Sequence, residues 1–203
     1  MGPRTEAAIT RFQGDNRERA DGILCANSPC HRKLTQLAKA ELSRRPQSRP
    51  KPHLTFDGKR LCWVGPPYNG KCWQGVSGKR GFQRKEDQTI KDVGPLPEGK
   101  WRVRQDQYQR FDDEPFYVHL LAPIGKIGSR PITNWPGGPV AWGNNRIWLL
   151  PATGTKTHGR ENFSIHGGAV PGSAGCVDLT SQMPDFTKHF RSYGADVDLI
   201  VKY

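Results

Sequence analysis

From Leu54 onward the chain is cut into short apolar runs, each closed by glycine, proline or an Asp-Gly pair, and this punctuation constrains the fold more than any other feature. Asp57-Gly58 separates Leu54-Thr55-Phe56 from Arg60-Leu61-Cys62-Trp63-Val64. That is a strong hairpin signal, because a tight turn with positive φ matches the twist of the strands it joins. A second turn over residues 65–70 leads into Cys72-Trp73-Gln74-Gly75-Val76, and Gly94-Pro95-Leu96-Pro97-Glu98-Gly99 opens Lys100-Trp101-Arg102-Val103-Arg104. Residues 116–121, 146–150, 163–166 and 197–201 continue the series. Short strands at fairly even spacing, in a chain with 23 glycines and 17 prolines, predict a mainly β sandwich or barrel. Met183, Phe186 and Phe190 recur at helical spacing and predict a helix over residues 181–193. No internal repeat is visible.

Residues 1–52 differ in composition. They carry 11 Lys/Arg against 5 Asp/Glu and end in a proline-rich run, residues 43–52, that reads as an extended linker. Leu34, Leu37, Ala38 and Leu42 predict one short amphipathic helix before Pro46, suited either to lying on a neighbouring domain or to docking a partner. The expected organisation is therefore a basic, partly helical segment over 1–52 and a β domain over 53–203. Residues 1–6 are followed by no apolar run, so a cleaved secretory signal is not expected, and runs such as Ile147-Trp148-Leu149-Leu150 are far too short for a membrane span.

The chemistry is concentrated in residues 165–179. His166 precedes Cys176 by ten residues, glycines crowd the space between, and the cysteine is reached through Ser173-Ala174-Gly175. Acyl transfer through cysteine needs a thiolate, a base to generate it and backbone N–H groups for the developing oxyanion. Cys176 suits the nucleophile, His166 the base, and the amides of Gly175 and Cys176 the oxyanion hole, with glycine letting the backbone approach a substrate closely. The plainer reading makes Cys176 a small buried hydrophobe and His166 a loop residue.

This segment resembles the signature of the L,D-transpeptidase (YkuD-type) catalytic domain, in which a His-Gly pair is followed by a loop and Ser-x-Gly-Cys. It is closer to the L,D-transpeptidase-like effectors delivered by type VI secretion, which share the short loop and the Ser-Ala-Gly-Cys-hydrophobic-Asp-Leu run. Larger L,D-transpeptidases usually have a longer loop, a histidine where Ala174 stands and an arginine where Asp178 stands. Val76-Ser77-Gly78, the Pro97-x-Gly99-x-Trp101 block and the approach Arg160-Glu161-Asn162-Phe163-Ser164-Ile165-His166-Gly167 extend the resemblance over residues 53–203. It implies an L,D-transpeptidase-like β fold and a cysteine enzyme, free of cofactors, acting on peptidoglycan peptide stems. It also implies trimming of tetrapeptides and exchange of the terminal residue for a free D-amino acid. In that family such a chain is made in the cytoplasm, secreted without a signal peptide, and acts in a target cell's periplasm; an immunity protein and a secretion component are its further expected partners.

Four residues complete the candidate site. Ser173 either bonds toward His166 or closes a turn with its hydroxyl. Asp178, two positions past Cys176 and so on the same strand face, either holds a substrate amine or pairs with an arginine. Arg160 either forks onto a terminal carboxylate or makes a structural ion pair, and His158 lines the pocket or lies in solvent. Cysteine peptidases of other folds usually orient the imidazole with Asn or Asp; Gly167 follows His166 here, so a backbone carbonyl takes that part if any local group does. Of the five cysteines, Cys62 and Cys72 bracket a turn and Cys25 and Cys30 lie close enough to pair; two bridges leave Cys176 free, while in a reducing compartment all five stay thiols. Neither Cys25, Cys30 and His31 nor His158 and His166 have metal-ligand spacing, so no metal is expected. The net charge of +12 is scattered along the chain with no nucleic-acid-binding motif, so no nucleic-acid partner is expected. Two other readings use the same residues: a cysteine peptidase or amidase of another fold, and a non-catalytic basic module that binds cell wall or nucleic acid.

Overall fold

The computed structural model describes residues 3–16, 19, 22–23, 26, 28–44, 51–128 and 130–203, which form two compact units, Met1–Arg49 and Pro50–Tyr203. The smaller unit contains two helices, α1 (Pro3–Asp15) and α2 (Pro29–Arg44). The leucine periodicity marks α2, but Leu34 and Leu37 are exposed. Nothing marked α1, whose large apolar residues are only Ile9 and Phe12. Gln13 fastens the chain after α1, donating to the Ile23 carbonyl (2.8 Å) and accepting from the Gly22 amide (2.9 Å). Cys30 is a buried free thiol; Cys25 and the proline-rich residues 46–50 lie outside the described residues.

The larger unit is mainly β. Strands β1 (His53–Phe56) and β2 (Arg60–Val64) form the hairpin expected at Asp57-Gly58. There Asp57 Oδ1 accepts the amides of Lys59 (2.9 Å) and Arg60 (2.7 Å), and Gly58 supplies φ of 88°. β2 pairs with β3 (Cys72–Gln74), and Cys62 and Cys72 stand opposite each other, joined by a disulfide. Gly75 breaks the expected single strand in two, and β4 (Val76–Gly78) begins after it. β5 (Gly99–Arg110), β8 (Asn145–Pro151), β9 (Ser164–His166), β10 (Ser173–Asp178) and β11 (Val197–Val201) follow. Together with the minor strands β6 (Lys126–Ile127) and β7 (Arg130–Pro131), these complete the strand set.

Nine strands make one sheet in the order β3-β2-β1-β11-β5-β8-β9-β10-β4. Its outermost strands, β3 and β4, are consecutive in the chain with Gly75 alone between them, so the sheet curls until its edges nearly meet. The curl encloses Trp63, Trp73, Trp101, Ile147, Ile165, Val177 and Leu199, closed at one end by Phe186 and Phe190 of helix α5 (Met183–Tyr193). Burial of these rings is the main favourable contribution to the fold.

Between β5 and β8 the chain leaves the sheet as a cap, residues 111–144. The cap has its own small core of Phe111, Val118, Ala122 and Trp135. The alternation in residues 116–121 predicted a strand; they form helix α3 (Phe116–Leu121) instead. Pro115 precedes the first turn, and Val118 and Ala122, four apart, face the cap core while Phe116, Tyr117 and Leu120 are exposed. With no sheet edge to join, the helical period prevails. Helix α4 (Gly138–Trp142) ends the cap beside the cysteine loop.

Candidate active site

The site is built on three adjacent strands. β9 lies parallel to β10 with Val177 opposite Ile165 and Asp178 opposite His166. β8 runs antiparallel on the other side, with Arg146 opposite His166 and Trp148 opposite Ser164. Strand alternation therefore sends Ile147, Ile165 and Val177 into the core, and sets Arg146, Trp148, Ser164, His166 and Asp178 on the opposite face. Arg146, Trp148 and His166 of this face, with Cys176, floor a cavity of about 610 Å³ whose other wall includes Asn134 and Trp142 of the cap.

The run that carries the cysteine does not follow the ladder. β10 pairs with β4 at Ser173–Gly78 and again at Asp178–Val76, so four residues of β10 stand against Ser77 alone. Such bulges re-aim a side chain and release backbone from pairing. Gly175, at φ of 95°, sits inside this bulge; a β-carbon there would lie 2.5 Å from Arg160 Nη2 and 3.0 Å from the Phe163 ring. The glycines after His166 have a different reason than close approach to substrate. A β-carbon at Gly167 would meet the Thr180 carbonyl at 2.8 Å, and one at Gly168 the Ala141 carbonyl at 3.0 Å. They let the loop pack against α4, where Gly167 and Ala169 donate to the carbonyls of Trp142 (3.1 Å) and Val140 (2.9 Å).

Cys176 and His166 meet. Both are buried, and the imidazole Nδ1 is bonded to the carbonyl of Gly167, the backbone group in the orienting position that Asn or Asp takes elsewhere. With Nδ1 occupied, Nε2, buried and without a hydrogen-bond partner among the described residues, is the nitrogen left to act on the thiol. Ser164 Oγ donates to Cys176 Sγ (3.3 Å), and the Sγ–H points to the Asn162 carbonyl (3.7 Å). Burial alone would push the Cys176 thiol up, but the neighbouring His166 imidazole, with help from Ser164, holds it below its ordinary value. Burial likewise opposes the imidazolium, yet the Cys176 thiolate, the Gly167 carbonyl and Asp178 raise His166 above its usual range. The two directions agree: each group stabilises the charged form of the other, and a thiolate is the form in which a cysteine is nucleophilic.

Of the other sequence-derived candidates, Ser173 and Asp178 tie the cysteine loop and Arg160 ties residues 88–95. Ser173 lines the cavity, but its hydroxyl donates to the Cys176 carbonyl (3.0 Å), closing the turn and not reaching His166. Asp178 is buried, with Oδ2 accepting the Gly172 amide (3.0 Å) and Oδ1 the Thr180 amide (2.8 Å), so its carboxylate spans both ends of the cysteine loop. Arg160 does not line the cysteine cavity. Nη1 donates to the carbonyls of Gln88 (2.6 Å) and Pro95 (2.7 Å), and Nη2 to Gly94 (2.8 Å), which occupies the fork assigned to a substrate carboxylate. His158 is exposed in a separate cleft with Thr155 and Lys100.

Residues absent from the sequence reading also shape the site. Ser164, two positions before His166 and so on its strand face, was legible by period alone. Arg146 is not: it is 1% exposed, and its guanidinium lies 4.2, 4.9 and 4.2 Å from the ring centres of Trp135, Trp142 and Trp148. The Trp142 ring also lies 4.9 Å from the His166 ring.

No family model and no curated protein matches the sequence. Solved structures with similar folds include Bdellovibrio bacteriovorus Bd1075, at 15% identity and TM-score 0.44, where the match covers 78% of this chain and 50% of that one. Another is an L,D-transpeptidase (Yku) from Stackebrandtia nassauensis, at 14% identity and TM-score 0.38, covering 100% of this chain and 80% of that one. A third is an L,D-transpeptidase from Xylanimonas cellulosilytica, at 14% identity and TM-score 0.39, covering 99% of this chain and 81% of that one.

Proposed function

We propose that this chain is a cysteine acyltransferase acting on the peptide stems of peptidoglycan, trimming tetrapeptides and exchanging their terminal residue. The observation that carries the reading is the buried Cys176–His166 pair, with Gly167's carbonyl behind the imidazole and a bulged Gly175-Cys176 backbone beside the thiol. The choice of substrate rests on the resemblance of residues 165–179 to the L,D-transpeptidase signature.

In this mechanism the Cys176 thiolate attacks the carbonyl between the L centre of a diamino acid and a terminal D-alanine. The Gly175 and Cys176 amides hold the oxyanion, a contribution of about 3 kcal/mol in related acyl transfers. His166 Nε2 gives its proton to the departing amine, leaving a thioester on Cys176. Water, deprotonated by the now neutral imidazole, attacks that thioester and releases a tripeptide; a free D-amino acid attacking instead gives the exchanged tetrapeptide. Secretion into a competitor's periplasm, with an immunity protein in the producing cell, belongs to the same proposal and rests on the same resemblance.

The test is incubation of purified protein with muropeptides, with and without D-amino acids, followed by mass analysis. Tripeptide and exchanged tetrapeptide are expected from the parent and neither from Cys176→Ala. Unchanged muropeptides, or undiminished turnover by the Ala variant, would refute the assignment. For the delivery part, a periplasmic export signal should make the chain toxic to a bacterial host, while cytosolic expression and exported Cys176→Ala should not.

A further inference from the structure

The cavity holds a second charged group that this mechanism leaves unused. Arg146 is as buried as any core residue, yet its hydrogen bonds go to one neutral acceptor: Gln109 Oε1 receives Nε (3.1 Å) and Nη2 (2.7 Å). The same oxygen also accepts Trp148 Nε1 (2.9 Å). Nη1 is buried without a partner among the described residues. The guanidinium faces are met by three indoles, which favour a cation but neutralise nothing. Arg160 makes the contrast plain, since its buried fork is filled by three backbone carbonyls. Burial lowers the Arg146 pKa to about 10, which leaves it charged at neutral pH; the Cys176 and Glu114 charges act on it, but neither is hydrogen-bonded to it. A buried cation with an unfilled donor is costly to keep unless an anion completes it.

Its position says which anion. Across the sheet the order is thiol on β10, imidazole on β9 and guanidinium on β8, and all three line one cavity. The C-terminal residue of a peptide presents its groups in the same order: scissile carbonyl, amide nitrogen that must receive a proton, then free carboxylate. We propose that Arg146 is the receptor for the C-terminal carboxylate of the departing residue, and for that of the incoming amino acid in exchange. This rests on the proposed peptide acyl transfer and makes the enzyme exo-acting, confined to the last bond of a stem. Trp142 of the cap, whose ring centre lies 4.9 Å from the guanidinium, lines the same cavity as Arg146.

The experiment compares a tetrapeptide muropeptide bearing a free C-terminal carboxylate with the same compound as its carboxamide. The parent enzyme is expected to prefer the acid by at least about a hundredfold in kcat/KM, since a site built for a polar group rejects an analogue lacking it. Arg146→Gln should reduce that preference to about threefold by slowing the acid far more than the amide, and Arg146→Lys should fall between, keeping the cation but losing the fork. Equal turnover of acid and amide by the parent overturns the proposal while leaving acyl transfer intact. So does a preference that survives in Arg146→Gln. A second measurement is independent of turnover: the ratio of Cys176 alkylation rates with anionic iodoacetate and neutral iodoacetamide. That ratio should exceed the ratio for free cysteine by at least about tenfold in the parent and fall toward it in the variants. If neither peptide is cleaved, the proposed function fails and this ratio still decides the role of Arg146; a ratio equal to that of free cysteine rejects it. Should Arg146→Gln fail to fold, the parent's acid–amide comparison and Arg146→Lys carry the test.

Discussion

At the scale of single residues, the reactivity of Cys176 is set against its surroundings, since burial opposes the thiolate and His166 and Ser164 are the main groups that reverse the balance. The pH dependence follows with a definite sign. Alkylation of Cys176 by iodoacetamide should rise at a pH below the ordinary thiol value of about 8.5. His166→Gln should move that rise upward, because the imidazolium that holds the thiolate is gone, and should cut muropeptide turnover by about a hundredfold or more. An alkylation profile unchanged in His166→Gln would mean that the two side chains do not interact. Ser164→Ala removes one hydrogen bond to sulfur and should shift the profile the same way by less, with a fall of about fivefold in kcat/KM for roughly 1 kcal/mol. Gly175→Ala is a different case, because it forces a side chain into positive φ and against Arg160 and Phe163. A loss of about 1–3 kcal/mol in a denaturant titration is expected, together with loss of activity. Cys176 and His166 were legible as a pair because their spacing and loop are local. Arg146 was not, since its meaning comes from three tryptophans and a glutamine brought together by the sheet and the cap.

At the scale of elements, the cysteine loop is a strap whose two ends are tied to one carboxylate. Asp178 accepts the Gly172 and Thr180 amides on different oxygens, an arrangement that asparagine cannot copy because its NH2 would face one donor. Asp178→Asn should loosen the loop and lower turnover by about tenfold, from a lost hydrogen bond worth roughly 1–1.5 kcal/mol. Hydrogen exchange at the Gly172 and Thr180 amides should quicken; unchanged exchange at both would show that the strap is held some other way. Arg160 plays the corresponding part for residues 88–95, and Arg160→Met should cost at least about 2 kcal/mol by orphaning buried carbonyls. Both residues attracted a substrate role in the sequence because charge beside a reactive cysteine reads as recognition. Backbone groups, which carry no letter in a sequence, had already claimed them: amide donors for Asp178 and carbonyl acceptors for Arg160. The misassigned strand at residues 116–121 has a related origin: alternation shows which positions are apolar, but not whether a sheet edge is present to receive them.

At the scale of the whole molecule, the hairpin and turn chemistry was legible almost element by element, since Asp57-Gly58 and the proline–glycine blocks act locally. The order of strands was not, because the pairing of β1 with β11 and of β10 with β4 joins distant segments. The Cys62–Cys72 bridge sits near the seam where the curled sheet closes. Its loop of ten residues suggests a contribution of about 2–3 kcal/mol, by restriction of the unfolded chain. A melting curve of Cys62→Ser/Cys72→Ser should show that loss, and mass mapping of oxidised protein should find these two bridged and Cys176 alkylatable. Cys176 recovered mainly in a disulfide, with activity retained, would contradict its role as nucleophile.

The cap has a consequence for how such a protein can diversify. It enters and leaves the sheet at Arg110 and Asn145, which are paired neighbours on β5 and β8, and it carries its own core. A stretch with adjoining ends and private packing can be lengthened, shortened or exchanged at small entropic cost to the framework. Thiol, imidazole and bulge all lie on the framework side of that boundary, while two of the three indoles around Arg146 lie on the other. Under the proposed function, heritable change in the cap would alter which peptide ends are admitted and leave Cys176 and His166 as they were.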